Sequence, residues 1–252
     1  MVWLKRFVLM LQFLTTIPIR AEIRADSRDF GKGLVLAPVV GLLLGGLLCA
    51  GYRIFMLVFP VLPSAGLTLV LYIWLTGGLH LDGLADTFDG IFSRRPRERI
   101  LEIMRDSRIG TNGVLAVACV LLLDATVLAA LDTSRIWGIL ILMPAAGRIG
   151  SLIGAGFSTY ARQGEGLGKS FIDWCESREV FIGLIPYLIA FWAVFRLTGL
   201  AAGVFCAVTA WLLVKFLGRK IGGATGDILG AVCELNQMLF LLLMLGIQRF
   251  LP

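Results

Sequence analysis

Residues 61–93 read VLPSAGLTLVLYIWLTGGLHLDGLADTFDGIFS. Up to Leu79 the stretch carries no charge, and its apolar run of about 20 residues is what a helix needs to cross a hydrocarbon core of about 30 Å. Beyond it come three aspartates. The stretch therefore predicts a helix leaving lipid at an acidic face, in an all-α integral membrane protein. Composition agrees. Of the 252 residues, 58% are hydrophobic and 16% charged, and mean hydropathy is +0.88. Soluble domains run at about 45–50% and about 25%, so an ordinary soluble domain and a disordered chain are both excluded. The five cysteines are odd in number and form no C-x-x-C pair, which excludes a disulfide scaffold. Cys49, Cys119, Cys206 and Cys233 stand in apolar runs and read as small hydrophobes.

Outward from this stretch, the chain offers seven membrane spans within a single polytopic domain, 1–252. They fall near 33–59, 61–81, 113–131, 136–157, 180–196, 197–217 and 228–248. The apolar stretch 3–19 is short, carries Lys5, Arg6 and Pro18, and lacks a cleavage signal. It reads as an interfacial helix.

Charge sets the orientation. Of 23 Lys and Arg, eighteen fall in 1–32, 82–112, 158–179 and 215–227, segments that alternate along the chain. Arg53, Arg135, Arg196 and Arg249 make up the opposite set, and Arg148 lies inside a span. The bias predicts a bacterial cytoplasmic (inner) membrane protein with its N-terminus in the cytoplasm. The net charge of +6 then reflects topology and anionic lipid, with no nucleic-acid partner. Fourteen of the seventeen acids share those segments, so polar chemistry gathers at one face, in loops near 82–112, 158–179 and 218–227.

Asp82, Asp86 and Asp89 are spaced i, i+4, i+7, on consecutive turns of one helix face. Stacked carboxylates repel unless a cation neutralises them. Mg²⁺ takes such oxygen donors and keeps positions open for phosphate. The competing reading is a solvated acidic helix end facing nearby arginines. Gly83 and Gly90 would let a bulky ligand approach the backbone. His80, the only histidine, is a candidate general base or a hydrogen-bonded structural residue.

Residues 93–113, SRRPRERILEIMRDSRIGTNG, read as a surface helix that starts at Ser93–Pro96 and stops at Gly110. At its end Arg105, Asp106, Ser107 and Arg108 suit a diphosphate clamp, with Asp106 a further metal ligand. YARQGEGLGKSF (160–171) ends in Gly-Lys-Ser, yet Gln163 stands where a P-loop needs its first glycine. Its glycines, Lys169 and Ser170 still offer a phosphate cradle, or else a plain turn. GRKIGGATGDILG (218–230) is a packing stripe if helical; if it opens, it presents Thr225 and Asp227 to the site. Asp227 and Glu234 share a face, and Glu234 needs a partner in lipid. The G-x-x-x-G pairs at Gly41/Gly45, Gly150/Gly154 and Gly199/Gly203 read as helix contacts.

GGLHLDGLADTFDG (77–90), IMRDSRIGTNG (103–113), GLGKSF (166–171) and GGATGDILGA (222–231) resemble the signature segments of the cobalamin synthase family, also called adenosylcobinamide-GDP ribazoletransferases. QFLTTIP (12–18) and APVVGLLLG (37–45) fit as well. Asp124 departs from the family pattern, in which a basic residue is commoner there. The resemblance implies an Mg²⁺-dependent membrane enzyme that joins adenosylcobinamide-GDP to α-ribazole or its 5′-phosphate and releases GMP. On that reading Asp82, Asp86 and Asp89 hold the metal. Arg105, Ser107, Arg108, Lys169, Thr225 and Asp227 meet substrate, and an aspartate or His80 takes the proton. A CDP-alcohol phosphotransferase is the alternative within phosphoryl transfer, but D-G-L-A-D lacks that family's arginine after the alanine and its later D-x-x-x-D. A cation transporter entered at the aspartates is the alternative of another class, with Asp124 and Glu234 inside spans. The G-x-x-x-G pairs also permit a homo-oligomer.

Overall fold

The computed structural model describes residues 2–250, and the described residues are helical throughout, joined by turns and one isolated bridge between Tyr160 and Ala224. In order the helices are α1 (Val2–Leu14), α2 (Ser27–Gly33), α3 (Ala37–Met56), α4 (Val61–Thr76), α5 (Leu79–Ile91), α6 (Arg97–Ile103), α7 (Thr111–Ala130), α8 (Ile136–Gly156), α9 (Leu167–Trp174), α10 (Ser177–Gly218) and α11 (Gly226–Phe250). The all-α membrane architecture expected from composition is what forms.

α8 is the axis of the bundle, with 83% of its apolar window buried against 33% for α7. Small residues bring its neighbours onto it. A Cβ on Gly41 of α3 would stand 2.6 Å from the Ala145 Cα, and one on Gly154 would stand 2.6 Å from Leu229 of α11. Such positions let helix backbones touch where lipid gives no hydrophobic drive to associate.

Five helices, or helix runs, are long and apolar enough to cross a bilayer, and α4 with α5 makes a sixth as a bent pair. α10 hides one more pass. Its 42 residues break at Phe195 and Arg196, where Arg196 takes φ 54° and ψ −133°. The Tyr187 hydroxyl donates to the Gly203 carbonyl at 3.3 Å. In a straight helix those residues would lie about 24 Å apart. α10 is therefore an antiparallel hairpin with arms 177–195 and 197–218, and the pairing of 180–196 with 197–217 expected from hydropathy is what the backbone adopts.

The second span ends earlier than the sequence reading placed it. Gly77 and Gly78 take left-handed φ of 63° and 70°, which stops α4 at Thr76. The chain then turns by 91° into α5, so His80 lies on a separate helix packed against α11. The surface helix is shorter too: α6 ends at Ile103, and 104–110 is irregular. There the Asp106 carboxylate accepts from the Arg108 amide at 3.1 Å, a local turn that competes with helix.

α1 buries only Leu9, Met10 and Leu14, as an interfacial helix does. It is tied down by Asp29 of α2, which accepts from Lys5 and Arg6. The turns after α4, α6, α8 and α10 all meet at one face.

Candidate active site

α5 and α11 cross at two glycines. A Cβ on Gly83 would lie 2.9 Å from the Asp227 carbonyl oxygen, and one on Gly230 would lie 3.2 Å from that of His80. The close approach expected at Gly83 is thus to α11, not to a bound ligand. It sets Asp82 and Asp86 of α5 across from Asp227 in the first turn of α11. Thr225 precedes that turn, fully buried, and its hydroxyl accepts from the Ile228 amide at 3.3 Å. The 218–230 segment has opened into a loop, but Thr225 caps α11 and bonds Asp227 instead of facing the groove.

Asp227 is held on one oxygen. Arg162 Nη2 donates to Oδ2 at 2.6 Å, and the Thr225 hydroxyl donates to the same oxygen at 3.2 Å. Oδ1 has no protein partner among the described residues. Arg162 also donates to the Met104 carbonyl at 3.1 Å, tying the 160s loop to α6. In the sequence Arg162 stands out only as one positive charge of its loop. Its partner is 65 positions away, and nothing local marks the pair.

Asp82 and Asp86 accept no hydrogen bond and form no ion pair among the described residues. Burial, then the carboxylates of Asp82 and Asp227, push the Asp86 carboxyl up to about 7, while Arg162 opposes the rise. Uncompensated carboxylates with hard oxygens and access to solvent are a donor set that fits Mg²⁺.

Asp89 is placed differently. Its oxygens accept from the Gly110 amide at 2.6 Å and the Gly113 amide at 2.8 Å, capping the start of α7. Within the expected three-aspartate stripe, Asp82 and Asp86 are therefore open and Asp89 is engaged by α7, while Asp227 stands opposite Asp82 and Asp86. Asp106 and Arg108 are likewise spent on each other. Arg108 Nη2 donates to Asp106 at 2.7 Å, its side chain is 87% exposed, and these bonds hold the Asp106 carboxyl down at about 2. Ser107 lines the groove beside Asp82 and Asp86.

Three cavities run into one another here. The first, about 210 Å³, is mostly apolar and includes Phe13, Leu34, Phe171, Leu229 and His80, with Asp82 and Asp227 at its mouth. The second, about 440 Å³, follows the 163–168 glycine loop to Asp227. The third, about 310 Å³, lies between Asp82, Asp86 and Ser107. Arg105 lines the last two and donates to the Gln163 carbonyl at 3.2 Å. Lys169 is paired with Glu165 at 2.8 Å on the loop's far side.

Behind the first cavity lies a buried polar cluster. The Tyr72 hydroxyl donates to Glu234 at 2.7 Å, which is the partner Glu234 needs in lipid. Arg148, fully buried, stacks over the Tyr72 ring at 5.8 Å. His80 Nδ1 sits 4.0 Å from Glu234. His80 is buried, with Arg148 and Glu234 as its charged neighbours. His80, Cys233 and Glu234 offer ligand atoms within 4.8 Å of one another. A cation there would meet Arg148, whose charge already offsets Glu234, in a low-dielectric interior. This trio is therefore a poorer metal site than the open aspartate groove.

Residues 6–245 match the family described as cobalamin-5-phosphate synthase. Among curated proteins, the chain is 52% identical over 250 residues to an adenosylcobinamide-GDP ribazoletransferase of Clostridium acetobutylicum, covering 99% of each chain. It is 55% identical over 243 residues to one of Acetivibrio thermocellus, covering 96% of this chain and 98% of that one. A relative of the same name from Geotalea daltonii is 38% identical over 245 residues, covering 97% and 98%. No solved structure matches the chain.

Proposed function

The chain belongs to the cobalamin-5-phosphate synthase family, an enzyme family of cobalamin synthesis, and from that premise we propose that it moves the cobinamide phosphate group of adenosylcobinamide-GDP onto α-ribazole or α-ribazole 5′-phosphate, releasing GMP. The observation that carries this reading is the meeting of two unlike cavities at Asp82: an aromatic-lined one suited to a flat base, with Asp227 in its wall, and an acid-lined one suited to a metal-bound diphosphate.

Asp82 and Asp86 would hold Mg²⁺, which when bound offsets charge on the diphosphate oxygens. The ribazole base enters the cavity that Phe13, Phe171 and His80 line. This places its ribose hydroxyl at the mouth of the cavity. The hydroxyl oxygen forms a bond to the phosphorus that carries cobinamide. The bond from that phosphorus to the bridging oxygen breaks, and its electron pair leaves with GMP. The hydroxyl proton passes to Asp227 Oδ1, the oxygen that Arg162 and Thr225 leave free. Arg105, at the junction of the two polar cavities, and the backbone of the 163–168 glycine loop meet the remaining phosphate charge, while Lys169 stays paired with Glu165. Membership of a transferase family leaves no role for the transporter reading.

The test is GMP release by purified protein given adenosylcobinamide-GDP and α-ribazole 5′-phosphate, with and without Mg²⁺. Asp82→Asn and Asp227→Asn should each lower turnover by about 10²–10⁴-fold without changing the melting temperature. The two differ in metal binding: Asp82→Asn weakens Mg²⁺ affinity and Asp227→Asn leaves it. Near-normal turnover in Asp82→Asn removes the metal assignment.

A further inference from the structure

On the side of the bundle away from the aspartates, the α10 hairpin and α8 enclose a groove of about 360 Å³ lined only by apolar side chains, among them Ile153, Leu184, Val208 and Trp211. It opens toward lipid: Phe181 is 63% exposed and Val208 52%. At Phe157 it adjoins a second cavity of about 480 Å³ with a different character. That one holds Lys215, Arg219, Ser158 and Thr159 and no acidic residue. Lys215 Nζ donates to the Phe157 carbonyl at 2.9 Å, which fixes the ammonium at the junction. Neither Lys215 nor Arg219 forms an ion pair among the described residues, and no acidic side chain lines their cavity to answer them.

The dimensions fit one leaflet. From Val204 to Trp211 the groove runs about 10 Å along the helix, and Lys215 lies about 6 Å further. The sum is close to half of a hydrocarbon core of about 30 Å. Basic pockets between membrane helices recognise anionic headgroups.

We propose that this paired groove binds an anionic phospholipid, its phosphate against Lys215 and Arg219 and one acyl chain between α8 and the two arms of α10. Charge complementarity selects the occupant: a zwitterionic lipid brings its own ammonium beside two cations, and a soluble phosphate leaves the apolar groove empty. The lipid braces the hairpin whose far end carries the 219–225 loop, and so the loop that leads into Asp227.

The experiment is native mass spectrometry of the full chain released from detergent with phosphatidylglycerol or phosphatidylcholine. The intact protein should retain phosphatidylglycerol about tenfold more strongly. Lys215→Gln with Arg219→Gln should abolish that preference and leave GMP release in neutral detergent unchanged. Lys215→Arg with Arg219→Lys, which keeps both charges, should keep it. Equal retention of the two lipids by the unaltered protein would overturn the proposal. So would displacement of bound phosphatidylglycerol by inorganic phosphate alone, or a lipid-free dimer as the species that fills the groove.

Discussion

Asp86 carries the sharpest expectation at the scale of single residues. Burial and its acidic neighbours raise its carboxyl to about 7, so below that pH it is protonated in the metal-free protein. A divalent ion must then displace the proton. Mg²⁺ affinity should fall as pH drops from 8 to 6, approaching tenfold per unit on the acid side, and level off above about 7. Titration calorimetry in two buffers of different ionisation enthalpy counts the protons released. No proton release at pH 6 would show that Asp86 is not a ligand, and Asp86→Asn should make the profile flat. Sequence spacing brought out Asp82, Asp86 and Asp227, because acids at a membrane exit are conspicuous against an apolar background. It did not bring out Arg162, which looks like any other loop arginine until the fold closes 65 residues of chain. Nor did it bring out Tyr72 and Arg148, whose polar atoms are legible only once Glu234 is seen beside them.

Among the elements, the start of α7 separates two readings of one aspartate. Spacing alone put Asp89 with Asp82 and Asp86, since i, i+4 and i+7 share a face. The helix N-terminus that packs beside it takes both of its oxygens. Unpaired amides at a helix start are a strong demand on a nearby carboxylate, and α7 belongs to a different part of the sequence, so that demand was invisible in the motif. Asp89→Ala should cost about 1–2 kcal/mol of stability as a lost cap. It should leave Mg²⁺ affinity within a few-fold, because Asp89 acts on Asp86 only as a neighbouring like charge, the weakest influence on that carboxyl. Thermal unfolding and Mg²⁺ titration on the same sample decide it: weakened metal binding with no loss of melting temperature would return Asp89 to the ligand set. The α5–α11 crossing makes the complementary case. Gly83→Val has no room against the Asp227 carbonyl at 2.9 Å, so it should separate the two helices and abolish turnover through displaced Asp82. Overpacking of this kind costs about 1–3 kcal/mol.

For the whole molecule, the passes were readable because lipid admits no unsatisfied backbone, so each span must be an uninterrupted apolar helix. The direction change that stayed hidden is the 91° turn at Gly77–Gly78, which ends α4 early and packs α5, with its acids, against α11. The turn at Arg196 was legible from hydropathy alone, as the break between 180–196 and 197–217. The hairpin decides which side of the membrane everything after it occupies. If 177–218 were one pass, the 163–168 loop and the 219–225 loop would face opposite compartments, and Asp227 could not meet Arg162 at 2.6 Å. Single cysteines at Gln163, Lys220, Arg95 and Ser134, each introduced after the five native cysteines are replaced, test this directly. A membrane-impermeant maleimide applied to sealed right-side-out and inverted vesicles should label the first three from one side and Ser134→Cys from the other. Lysine and arginine dominate the side that carries the first three, so the inverted vesicles are where they should react. Labelling of Gln163→Cys and Lys220→Cys from opposite sides would break the hairpin, and with it the convergence of α5, α11 and the glycine loop on which the transfer reaction depends.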